Sequence, residues 1–495
     1  MLPPSYTNLC MSSTPLTLRI TRRAADHLRA GHLWVYRTDI EGTPADLPPG
    51  ALVTLTDSRA LPLGTALYST ASTLAARLVS RTPALTRDQY LADLRSRIDF
   101  ALQLRRELAP NTNAHRLIFS EADNLPGIIA DRYNDLVLIQ LLTQGTAQDD
   151  VRSTLTEALR AGLSPNGEPL TIWERPDPRI RELEQLPAPP TGSLFSSTLT
   201  HEVSSRPERS VVERPASEPT QDVSSRPKAE CSGDEVERPA SGITTEPAAP
   251  TTTTFTLNNL HFHYDAASGQ KTGAFLDQRL NYAAAARAVA ASGRTRNALD
   301  ICTYQGGFAL HLAEVCTRVT GIDASRSALE AADRNLLLNP HLKAEVDWIE
   351  ADAFEYLRHL DDLAHPKTPG APFMRSSTAH ERGDAADTNP NLFSAIVLDP
   401  PAFAKSKRAA EGALRGYKEL NLRAIRLLEP GGTLITNSCS HHVSLADFTE
   451  IVAAAAADTG RRLQLLETRA AAPDHPEVLT LPETRYLKCL ICRVD

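Results

Sequence analysis

Short apolar runs that close on a polar residue recur along the C-terminal half of the chain. They read as Asn297–Cys302, Val319–Asp323, Trp348–Asp352, Phe393–Pro401 and Gly431–Ser440. Runs this short and this apolar predict strands buried on both faces, as in a parallel sheet. Between and around them the apolar spacing turns helical, over Tyr282–Ala291, Phe308–Ala313, Arg415–Leu428 and Leu445–Ala457. Leu463–Thr468 and Tyr486–Arg493 add a sixth and a seventh strand. No helix separates that last pair, so it should run antiparallel. The expectation is a doubly wound, Rossmann-like α/β sheet of seven strands.

The N-terminal pattern differs. Leu16–Thr82 alternates over Leu52–Thr56 and Thr65–Tyr68 behind a Pro48-Pro49-Gly50 turn, which predicts a small, mainly β domain. Arg87–Leu108 has helical spacing, with Tyr90, Leu94, Ile98, Ala101 and Leu104 on one side. Arg116–Leu142 reads as two strands, with Asp123-Asn124 and Asn134-Asp135 as turn pairs. A helix over Asp149–Ala161 and a strand over Leu170–Glu174 complete a small α+β domain. The expected boundaries are 16–82, 83–186 and 255–495.

Residues 187–254 are rich in Pro, Ser, Thr and Glu, and EVSSRP followed by VERPAS recurs as DVSSRP followed by VERPAS. Two polar copies cannot build a solenoid core, so this stretch reads as a disordered insertion. Residues 361–391 read as a shorter insertion of the same kind inside the C-terminal domain.

Composition narrows the class. No run reaches the roughly 20 apolar residues of a membrane helix. The first ten residues lack a basic n-region and an apolar core, so no secretory signal is expected. Seven cysteines without a disulfide framework suit a reducing cytoplasm. Cys489 and Cys492 form a lone CxxC, half of what a zinc site needs, and no metal is expected. The net charge of −8 excludes a wholly basic nucleic-acid binder but permits local patches. Residues 16–116 hold 14 Arg and no Lys against 9 Asp plus Glu, an excess of five positive charges.

The chemistry belongs at the strand exits. Gly306 and Gly307 allow a sharp turn and a close approach of backbone to ligand. Asp323 ends the second strand about 20 residues on, where an acid can take ribose hydroxyls. A dehydrogenase would share that acid. Three features favour a methyl donor instead: the turn reads DICTYQGGF rather than GxGxxG, Asp352 sits at the third exit, and Asp399-Pro400-Pro401 sits at the fourth. Cys439 follows the fifth strand directly. Carbon 5 of a pyrimidine is a poor nucleophile, and a thiolate adding to carbon 6 activates it. Lys405, Lys407 and Arg408 follow Asp-Pro-Pro and suit the phosphates of a nucleotide turned into the site.

The motifs GHLWVYR, EADNLPGIIADRY, KTGAFLDQR, DICTYQGGF, DPPAFAKSK and SCSHHV occur together and in order. With them the chain resembles the ribosomal large-subunit RNA cytosine-5 methyltransferase family, outside the two insertions and the first ten residues. That resemblance implies an N-terminal PUA domain and a class I methyltransferase domain. It implies S-adenosylmethionine as cofactor, surrounded by Gln278, Arg279, Tyr304, Gly306, Gly307, Asp323, Asp352 and Asp399. Cys439 and Asp399 are the catalytic candidates. Trp34 and Tyr36, which their strand alone reads as core, become RNA-facing candidates together with Arg22 and Arg23. Large-subunit ribosomal RNA is the expected partner, with a homodimer as a candidate assembly. One departure stands out. Two-cysteine RNA cytosine methyltransferases carry a second cysteine after the fourth-strand proline, and this chain has Ala402 there. Two alternatives remain open: a guanine N-methyltransferase on the same scaffold, for which Cys439 is dispensable, and a catalytically silent RNA-binding assembly factor.

Overall fold

The computed structural model describes residues 16–42, 46–110, 112–189, 192–197, 251–266, 273–366, 392–403 and 410–495. The first unit is a five-stranded sheet in the order Thr17–Arg19, Leu52–Thr56, Pro62–Tyr68, Leu74–Ser80, Trp34–Tyr36. One helix, Arg22–Arg29, lies on it. The Thr21 hydroxyl caps the helix by accepting from Ala24 N, and Ala24, Ala25 and Leu28 are its buried face.

The second unit is another five-stranded sheet, ordered Phe195–Ser197, Leu170–Glu174, Leu136–Leu141, Ile128–Tyr133, Ala114–Phe119. Ala114–Phe119 is a strand of its own, so Arg116–Leu142 holds three strands rather than two. The short helical turn Ser120–Asp123 separates the first from the second. The helices Arg87–Leu108 and Asp149–Leu163 cover the sheet through a shared apolar cluster. In the longer helix, Leu102 rather than Leu104 is buried, and Arg105 is buried beside it. Its guanidinium forms a two-pronged ion pair with Asp123, at 2.6 and 2.7 Å, which lets an arginine sit inside.

Two expected insertion boundaries are corrected. Phe195–Ser197 pairs with Leu170–Ile172 as the edge of the second sheet, and Thr252 already belongs to a hairpin, Thr252–Leu257 with Leu260–Asp265. Low apolar content hid both, because an edge strand needs few apolar residues. The second insertion also begins later than 361. The helix Ala353–Ala364 runs through that position, and buried Asp361 pairs with Arg423 and Arg426 at 3.2 and 3.0 Å. Residues 198–250 and 367–391 lie outside the described residues.

The third unit carries the large sheet. Its strands are β1 (Asn297–Ile301), β2 (Arg318–Asp323), β3 (Glu345–Glu350), β4 (Phe393–Leu398), β5 (Leu428–Ser438), β6 (Leu463–Arg469) and β7 (Lys488–Val494). Their order is β3-β2-β1-β4-β5-β7-β6. The first five run parallel, and β7 lies antiparallel to both β5 and β6. The strand order reverses between β1 and β4, which opens the crevice at their C-terminal ends where ligands of doubly wound sheets bind. Apolar clusters cover both faces, one under Tyr282, Val289 and Phe308, the other under Tyr417, Phe448 and Val452. Cys489 belongs to the first cluster and Cys492 to the second. Three residues apart on a strand, they point to opposite faces, so they form no joint thiol site. Among the described residues no helix is long and apolar enough to cross a membrane.

Candidate active site

The crevice begins where β1 ends. Asp300 Oδ2 accepts from Thr303 Oγ1 at 2.6 Å and from Ala309 N at 2.9 Å, which ties the strand to the helix after the turn. Burial pushes this carboxyl up to about 7, and the Asp323 charge adds to the effect. Its other oxygen, Oδ1, is buried without a partner among the described residues. The turn itself is strained: Cys302 and Tyr304 have φ of 64° and 53°, a region that non-glycine residues seldom occupy. Gly306 follows at φ 83°. A Cβ at Gly307 would lie 2.5 Å from the Tyr282 ring, so that position needs glycine for space.

Asp323 holds this turn in place. Its Oδ2 accepts from Tyr304 N at 2.9 Å and its Oδ1 from Ser325 N at 2.8 Å. Asp352 lies two residues beyond β3. Its Oδ1 caps the next helix by accepting from Phe354 N and Glu355 N at 2.9 and 3.0 Å. Phe275, Tyr282, Cys302, Tyr304, Gln305 and Asp399 help to wall a cleft at the strand exits. Among the described residues no cluster of His, Cys, Asp and Glu could hold a metal ion.

Asp399 lies at the floor. Its backbone N–H donates to Ile301 O at 3.1 Å, which locks the exits of β4 and β1 together. Gln278 Nε2 donates to Asp399 Oδ1 at 3.0 Å, while Asn281 Nδ2 donates to Gln278 Oε1 at 2.7 Å. This chain fixes the amide so that its N–H side faces the carboxyl. Burial, then the charges of Asp300 and Asp277, push Asp399 well above the usual carboxylate range, and the Gln278 bond opposes them.

Cys439 follows β5. Its thiol lies 3.9 Å from Pro400 O, which brings the SCS and Asp-Pro-Pro motifs into one crevice. Ser438 and Ser440 flank it, each bonded to the Tyr417 hydroxyl at 3.0 and 2.9 Å. His441 and His442 keep part of their surface exposed, and the His441 ring packs 5.4 Å from Tyr486.

A PUA-like domain model matches residues 18–81. The ribosomal RNA large subunit methyltransferase I of Pseudoalteromonas translucida (strain TAC 125) is 30% identical over 470 residues, covering 94% of this chain and 96% of its own length. The chain belongs to the ribosomal RNA large-subunit methyltransferase family. A relative from Deinococcus radiodurans, named a ribosomal RNA large subunit methyltransferase, is 30% identical over 493 residues and covers 98% of this chain and 99% of itself. A SAM-dependent methyltransferase structure from Streptococcus mutans superposes with a TM-score of 0.67 at 16% identity, covering 97% of this chain and all of that one. A methyltransferase solved with SAH superposes at 0.66 and 17% identity over the same share. At that identity the likeness concerns the fold.

For this family member, Gln278, Tyr304, Gly306, Gly307, Asp323 and Asp399 converge around the crevice, with Asp352 at its edge. Arg279 does not join them. It turns away and pairs with fully buried Asp474 at 2.8 Å. Consecutive residues at a helix start point in different directions, and only Gln278 could face the crevice. Trp34 is half-buried, and its indole N–H donates to Glu121 of the second unit at 2.9 Å, which makes it a packing residue between units. Tyr36 is 40% exposed, and Arg22 and Arg23 are exposed on their helix. Lys405, Lys407 and Arg408 lie outside the described residues. Sequence reasoning missed Asp300, Tyr417 and Lys488. Asp300 had a signal, since an acid inside an apolar strand next to a glycine turn needs a partner.

Proposed function

We propose that the protein transfers a methyl group from S-adenosylmethionine to carbon 5 of a cytosine in large-subunit ribosomal RNA, with Cys439 as nucleophile. Cys439 beside Asp-Pro-Pro carries the reading: the thiol lies 3.9 Å from Pro400 O, one residue from Asp399. The crevice fits the cofactor. Tyr304, Gly307 and Asp399 line it, and Asp323, which holds the turn at Tyr304 N, is the acid that would take the ribose hydroxyls. Asp399 lines the cleft and offers it a carboxyl group. When bound, the cofactor supplies an electrophilic methyl group.

The chain's own residues do the rest. The Cys439 thiolate adds to carbon 6, and the electron pair of the 5,6 double bond moves to carbon 5, which takes the methyl group. A base then removes the carbon-5 proton. The C–H pair restores the double bond, and the carbon–sulfur pair leaves with Cys439. Ala402 offers no second thiol, and Asp399 is the nearest candidate for the base. Its raised affinity for a proton suits it to that step. Arg22, Arg23 and Tyr36 on the PUA-like unit, with Lys405 and Lys407, hold the RNA.

The test is base-resolved mapping of ribosomal RNA from cells with and without the protein, and with the Cys439→Ala form. The cytosine reading expects one 5-methylcytosine to vanish in both deficient cases. A methylguanine that vanishes without the protein but persists with Cys439→Ala would replace it by the guanine reading.

A further inference from the structure

Lys488 begins β7, opposite Ser438 of β5 in the antiparallel register. It is 4% exposed. Its ammonium donates to Ser440 O at 2.7 Å and to Tyr486 O at 2.8 Å, so it grips the backbone on the far side of Cys439. An ammonium has three donors, and these two bonds go to neutral carbonyls. Among the described residues no Asp or Glu forms an ion pair with it. A buried cation without a carboxylate is expensive unless a negative charge forms next to it. The groups that face it electrostatically are Cys439 and His441. Tyr417 lies on the other side of Cys439 and stays neutral because burial raises its phenol. His441 is held on the neutral side by burial and by Lys488 itself. Among the described residues that leaves the sulfur of Cys439 as the group able to become the counter-charge.

We propose that Lys488 is the positioning residue that keeps Cys439 anionic and aimed at the crevice, through its charge and its grip on Ser440. The inference rests on the reading of Cys439 as nucleophile and adds the group that activates it. Burial pushes the Lys488 ammonium down to about 8, and the neighbouring Cys439 opposes that drop. The cation is therefore present through neutral pH and fades above about 8.

The test is the pH profile of Cys439 alkylation by iodoacetamide, read by peptide mass spectrometry on the full chain. In the wild type the rate should reach half its plateau at least one unit below the ordinary thiol value of about 8.5. An ordinary midpoint overturns the proposal, and this arm needs no variant to fold. In Lys488→Met the midpoint should rise by about one unit, with a roughly tenfold slower rate at pH 7. Lys488→Arg should restore much of the difference. Superimposable profiles of the wild type and a cofactor-binding Lys488→Met form overturn the proposal. Trapping with 5-fluorocytosine RNA separates the two readings. An adduct at Cys439 together with an ordinary alkylation profile sinks only the role of Lys488, whereas methylation retained by Cys439→Ala sinks the function and this role with it.

Discussion

Arg279→Met tests whether the buried ion pair of Arg279 with Asp474 is structural. Asp474 is fully buried, and Arg279 approaches its Oδ1 with Nη2 at 2.8 Å and Nε at 3.2 Å. Oδ2 accepts from Arg116 N of the second unit at 2.9 Å. Methionine keeps the volume and removes the arginine charge, which leaves the buried carboxylate, among the described residues, with only Arg116 N and His475 on its Oδ2 side. Breaking a buried pair in this way costs about 3–5 kcal/mol. Urea unfolding at pH 7 should show a loss of that size, while S-adenosylmethionine affinity of the folded protein changes less than about twofold. The pH dependence has a definite sign. Burial favours the protonated form of Asp474, but His475 and Arg279 outweigh it and hold the carboxyl below its usual range. A depressed carboxyl stabilises the fold above the unfolded value of about 3.9 and loses that contribution as pH falls through the folded value. The gap between wild type and variant should therefore narrow on acidification, because protonation discharges the stranded group. Asp474→Asn added to Arg279→Met should recover part of the loss. Unchanged stability with a collapse of cofactor affinity would refute the argument and return Arg279 to the cofactor site.

Asp323→Ala should weaken S-adenosylmethionine binding at least roughly tenfold, since each charged hydrogen bond contributes about 1.5–3 kcal/mol; calorimetry showing wild-type affinity in a folded variant would remove Asp323 from the site. Gly307→Ala should lower thermal stability by about 1–3 kcal/mol through overpacking against Tyr282, and a neutral result would mean that the ring has room to move. Asp399→Asn should slow methyl transfer, and in the wild type the single-turnover rate should keep rising with pH above the usual carboxylate range, because the buried acid must lose its proton to act as a base. An acid limb near pH 4 would show another group in that role. Charge reversal at Arg22 and Arg23 should weaken RNA binding and flatten its salt dependence without touching cofactor affinity; an unchanged salt slope would place the RNA elsewhere.

The parallel strands were legible because buried strands are unbroken apolar runs, and their exits carried the acids to the crevice. Boundaries were less so. Asp352 read as a strand end, yet a carboxylate followed by an apolar helix is also an N-cap, and the chain uses it as one. In KTGAFLDQR the side chains of Gln278 and Arg279 were indistinguishable by pattern. Their divergence depends on Asp474, 195 residues away. The strand pattern of Trp34 favoured core and the resemblance pointed it toward RNA; strand alternation cannot say which neighbour covers a face, and that neighbour is Glu121 in another unit. Lys488 gave no local signal at all. Its meeting with Ser440 depends on the antiparallel register of β7 against β5, which no spacing in the sequence reveals.

The central claim is that Cys439 becomes bonded to the target base during the reaction. RNA carrying 5-fluorocytosine at the target position tests it most directly, because fluorine cannot leave carbon 5 as a proton does. The account predicts a protein–RNA adduct that survives denaturing electrophoresis, carries the transferred methyl group and maps to Cys439. Cys439→Ala should bind both cofactor and RNA yet form no adduct and no product. Methylation by Cys439→Ala at a rate near wild type, with no adduct in either protein, would contradict it.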